Sequence, residues 1–96
     1  MTVTVLIGNS DDKLPQARWN LYVQRVRSVL AAIGGQVHFE GFSPSQAPWQ
    51  NAAFVMESRH EQMGWLRRSL ACVAAEFEQD SIAVIEGDTE MVVADV

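Results

Sequence analysis

Two stretches of the chain carry the same helical stripe. Trp19, Tyr22, Val23, Val26, Leu30 and Ile33 recur at spacings of three and four, and Met63, Leu66, Leu70, Val73 and Phe77 do so again. Apolar residues at those spacings line one side of an α-helix and oblige it to pack against something. The runs around the stripes have the other period. Thr2–Ile7 (TVTVLI) is rich in β-branched residues, and Gln36–Phe42 alternates. Asn51–Glu57 sets Ala52, Phe54 and Met56 against Ala53, Val55 and Glu57, and Ser81–Ile85 supplies a fourth short strand. The order is therefore β, α, β, β, α, β within 96 residues.

Two helices cannot cover both faces of a four-stranded sheet, so the order predicts an α+β sandwich with both helices on one face. Right-handed crossovers then place the antiparallel strands in the order 4-1-3-2, the ferredoxin-like βαββαβ arrangement. That fold hosts many unrelated functions and by itself licenses none.

Local signals fix the element ends. Pro15 suits the first turn of a helix over about Leu14–Ile33, and Gly34-Gly35 suits its end. Ser58-Arg59-His60-Glu61 reads as a capping box that opens the second helix. Gly87-Asp88-Thr89 reads as a turn, with residues 88–96 a short extra strand or a loose tail of one 1–96 domain. In the second strand, simple alternation puts Val37, Phe39 and Gly41 on one side and His38, Glu40 and Phe42 on the other. Phe42 is then the only aromatic expected on the sheet face away from the helices.

Seven basic residues against twelve acidic ones give a formal charge of −5. Phosphate-driven binding needs the reverse balance, so no direct nucleic-acid binding is expected. No apolar run approaches the roughly 20 residues needed to span a bilayer, so no membrane association is expected. The one cysteine, Cys72, allows no internal disulfide, which fits a reducing, cytoplasmic setting. Cys72 follows Leu70 and Ala71 and precedes Val73, which predicts a buried, inert thiol. With only His38 and His60 beside it, no zinc set forms, and neither a metal nor a cofactor is expected.

The predicted topology brings three connections together at one end of the sheet. They carry Asn9, Ser10, Asp11 and Asp12, then Trp49, Gln50 and Asn51, and finally Asp80. The Asn9–Asp12 oxygens lack the spacing of an EF-hand loop and suit the approach to a helix N-terminus. GNSDDK is not a phosphate loop, and no nucleophile elbow is present. Trp49, in a polar loop with two prolines, either folds back over the sheet end or anchors a partner. Thr2, Thr4, Leu6 and Val55 fall on the sheet face away from the helices. In a domain this small, a second copy is the natural cover for such a face.

IGNSDDKLPQARW (Ile7–Trp19) and APWQNAAF (Ala47–Phe54) resemble small uncharacterised proteins of actinobacteria and their phages. Neither segment is a catalytic motif, so the resemblance implies no activity and no site residues. It implies a phage or prophage origin. The leading expectation is a non-enzymatic protein-interaction or small-ligand-binding module, homodimeric, with Asn9–Asp12 and Trp49–Asn51 as its binding surface. One alternative is an acidic phage-type antagonist that binds and blocks a host protein, such as a nucleic-acid-binding or defence protein. The other is a small enzyme using Asp11 or Asp12 as a base.

Overall fold

The computed structural model describes residues 1–95. The strands are β1 (Thr2–Gly8), β2 (Gln36–Phe42), β3 (Asn51–Glu57) and β4 (Ala83–Gly87), and the helices are α1 (Gln16–Ala32) and α2 (Met63–Glu76). The sheet order is β2-β3-β1-β4 with every pairing antiparallel. This is the expected ferredoxin-like arrangement. Among the described residues, no helix is long and apolar enough to cross a membrane.

Both helical stripes meet one face of the sheet. Val3, Val5 and Ile7 of β1 and Ala52, Phe54 and Met56 of β3 point into the same core as Tyr22, Val26, Leu30, Leu66, Leu70 and Phe77. Full burial of such a side chain contributes roughly 1.5–3 kcal/mol, so this one layer carries most of the stabilisation available to a chain of this length.

Several local expectations change. The capping box does not form: the Ser58 N–H donates to Met1 O at 3.0 Å, and the Met1 ammonium donates to Ser58 O at 2.9 Å. With its N–H taken, Ser58 caps nothing, and a single 3-10 turn (His60–Gln62) leads into α2 instead. Pro15 is extended and stands just before α1 rather than inside it. β4 starts two residues late. The end of α2 consumes Glu78, at φ +57°, and the Gln79 N–H, which donates back to Ala74 O. Residues Asp80–Ile82 then cross from the helix layer to the sheet.

The largest correction lies in β2. Val37 pairs with Met56 but Phe39 pairs with Val55, so His38 is an extra residue in the ladder. This β-bulge reverses the alternation. Val37 faces the helices, Phe39 and Gly41 face away from them, and Phe42 lies opposite Ala52 on the helix side. The aromatic on the bare face is therefore Phe39, not Phe42. Glu40, now on the helix side, accepts from Arg27 of α1 at 2.8 Å. Cys72 is exposed rather than buried, because the α2 stripe runs through Leu70 and Val73 and leaves it pointing outward. Beyond Gly87, the described residues form no strand.

Candidate functional site

The three connections do meet at the Gly8 end of the sheet, and they enclose a groove of about 640 Å³ on the face away from the helices. Its floor is made of small side chains on neighbouring strands: Gly41, Ala53, Gly8 and Ala83. Leu6, between Gly8 and Thr4 on β1, adds apolar surface. The rim is polar but uncharged, with the hydroxyls of Ser10, Ser43 and Ser81 and the Asn51 amide. Trp49 forms one wall.

Asn9 builds this end from inside. It is fully buried, and its side-chain amide grips Leu14 twice, donating to Leu14 O and accepting from Leu14 N–H, each at 2.8 Å. Its backbone N–H donates to Gln50 O at 2.8 Å, which ties the first loop to the second. Asn9 therefore positions the surface and does not touch what binds there. Asp11 and Asp12 follow at φ +59° and +53°, a left-handed pair that short polar side chains tolerate best. Both are exposed and neither lines the groove. Asp12 borders a second hollow on the outer side of Trp49.

The Trp49 loop is fastened at its base. The Ser43 N–H donates to Asn51 O at 3.0 Å, and the Asn51 N–H returns to Ser43 Oγ at 2.9 Å. Gln50 donates through Nε2 to Gln16 Oε1 at 2.8 Å, joining the loop to the start of α1. Trp49 is partly buried and lies outside the core, standing as a partition between the two hollows. Its indole nitrogen is 3.7 Å from where a Cβ on Gly8 would sit, and Asn51 Oδ1 would be only 2.6 Å from that position. A bare glycine at position 8 is what lets both side chains close over the strand.

Of the sequence candidates, Ser10, Trp49 and Asn51 line the groove, Asn9 and Gln50 hold it together, and Asp11, Asp12 and Asp80 stand outside it. The sequence reading missed Ser43, Ser81 and Gly41. Their signal was positional: each lies within two residues of a strand end that the topology brings to the same place. The chemistry available is that of contact. An indole, three hydroxyls and an amide suit an uncharged group with a flat or apolar face. Among the described residues, no carboxylate, histidine or thiol lines the groove.

Beyond the groove the sheet face is uncovered. Phe39 and Ile85 are 55% and 54% exposed with Val55 and Thr4 in the row between them, and Leu6, at the border of the groove, is 38% exposed. His38 and His60 are both exposed and lie apart from the groove, and His38 stands 3.7 Å from Glu57. No protein-family model matches the chain, and no curated protein matches it.

Proposed function

We propose that the chain is a non-enzymatic binding module that works as a homodimer. The bare sheet face is its subunit contact, and the loop-end groove is the surface offered to a heterologous protein or small ligand. The observation that carries this reading is the uncovered face itself. Phe39 and Ile85 stand out of a sheet whose other side packs its central strands against both helices. An apolar patch of this kind on a small domain marks an association surface.

Light scattering under reducing conditions tests the reading. The expected result is a mass about twice 10.7 kDa for the native chain, and a single-chain mass for Phe39→Lys with its circular dichroism unchanged. A native chain that stays at 10.7 kDa at every concentration would overturn the homodimer. The reducing agent matters because the exposed Cys72 could otherwise cross-link copies.

A second reading rests on charge. Asp11, Asp12 and Asp80 stand exposed at the same end, and no ion pair takes them up among the described residues. They would suit an antagonist of a basic host surface. Its mark is partner binding that weakens steeply as salt rises, whereas contact through the uncharged groove is nearly insensitive to salt.

A further inference from the structure

We infer that the segment after β4, residues 90–95, is a fifth strand supplied in trans: in the homodimer it lies along the free edge of β4 in the second copy. The inference deepens the homodimer proposed above and rests on it.

The segment itself is the first observation. Met91, Val92 and Val93 are consecutive and 82%, 86% and 86% exposed. Two of the three are β-branched and suit a strand. A run of three exposed apolar residues in water needs a partner.

The second observation is the edge it would meet. β4 pairs only with β1, so its other side presents free backbone donors and acceptors. Its sequence, AVIEG, holds no proline and no lysine, and it carries no bulge. Edges are ordinarily blunted by one of those devices. The opposite edge, β2, is blunted by the His38 bulge, which β4 lacks.

The third observation is a space beside that edge. α2 stops short of β4, leaving a cleft of about 500 Å³ with Leu70, Ala71, Ala74, Ile82 and Val84 on its walls. A strand added to β4 would have apolar neighbours on both sides, the cleft on one and Ile85 on the other. This suits an apolar run that does not alternate: Met91 and Val93 would face the cleft, and Val92 and Ala94 the Ile85 side. Arg67 stands at the cleft rim, 56% exposed and paired with Glu86, on the side of the added strand that would carry Asp95 with Met91 and Val93.

The occupant is not the chain's own segment. Past Gly87 the chain heads towards β1, where the Thr89 hydroxyl meets the hydroxyl of Thr2. It thus leaves β4 on the side away from the free edge, so a hairpin back along that edge is not the path taken. A second copy related by a two-fold axis supplies the missing strand, and each copy gives what it receives.

The test compares the native chain with a version ending at Thr89 and with the double variant Val92→Asp/Val93→Asp, by light scattering and far-ultraviolet circular dichroism. The expected result is that both altered chains fall to half the native mass and keep the native helical signal. The double variant settles the matter if the shortened chain fails to fold. A folded variant that remains dimeric would overturn the strand in trans while leaving the bare-face dimer standing. Conversely, a monomeric double variant beside a dimeric Phe39→Lys chain would keep the exchanged strand and remove the bare face as the contact. A monomeric native chain would overturn both.

Discussion

Tyr22 of α1 stacks on Phe77 at the end of α2, with ring centroids 5.0 Å apart and planes 26° from parallel. The pair closes the seam between the helices. Trp19 meets Tyr22 edge-on at 5.9 Å, and the Arg18 guanidinium lies 4.5 Å from the centre of the Phe77 ring. Arg25 completes the strap by donating to Glu76 at 2.6 Å. The hydroxyl of Tyr22, however, is buried without a hydrogen-bond partner. Removing it while keeping the ring relieves an unmet desolvation penalty, so Tyr22→Phe is expected to raise stability by up to about 1 kcal/mol in chemical denaturation. A loss of stability would mean that the hydroxyl has found a partner.

The same burial predicts a pH dependence. It pushes the Tyr22 phenol from 10.0 up to about 12, because the anion would lose its hydration. The neutral form is thus favoured by the fold. Its contribution is complete below the unfolded value of 10.0 and is lost as pH rises towards 12. Tyr22 is the only tyrosine, so tyrosinate absorbance follows it alone. The folded chain should titrate well above the urea-unfolded one, and coincident curves would refute the burial of the ring.

Asn9 offers the sharpest test of the loop end. Replacing it with alanine strands the N–H and the carbonyl of Leu14 inside the protein. The expected loss is about 2–3 kcal/mol, the desolvation cost of buried backbone groups without partners. Unfolding midpoints in urea would report it. A change below about 0.5 kcal/mol, the range of ordinary surface substitutions, would mean that water reaches the loop and replaces the amide.

Glu78 closes α2 in a conformation that ordinarily belongs to glycine. It sits at φ +57°, with its N–H donating to Ala75 O and that of Gln79 to Ala74 O. Glu78→Gly is expected to stabilise by roughly 0.5–1 kcal/mol, combining relief of the left-handed strain with removal of a negative charge from a helix C-terminus. Glu78→Ala separates the two causes, since it removes the charge but keeps the strain. If alanine gains as much as glycine in thermal unfolding, the backbone account is wrong.

The sequence carried the fold because its two periods were unambiguous. The α2 stripe from Met63 to Phe77 and the alternation around Phe54 each have one structural solution, and the element order then leaves few topologies. What escaped were choices settled between distant residues. Nothing in QVHFEGF marks His38 as the extra residue, because the bulge is set by pairing with β3. Ser58 has the composition of a cap, yet Met1, far away in the chain, takes its N–H. The site was half legible for the same reason. Turn residues and a tryptophan pointed to the loop end, while the floor of Gly41 and Ala53 exists only once β2 and β3 are in register.

The bulge also changes what kind of variation β2 can absorb. The segments on either side of His38 are each in phase with β3 already, and the extra residue lies between them. Deleting His38 alone would join two halves that already agree, leaving Val37 under the helices and Phe39 on the bare face. A one-residue deletion between Glu40 and Phe42 would instead throw the strand end out of phase with β3 and tilt the groove floor. For this edge of the sheet, one position is spare length and its neighbours are not.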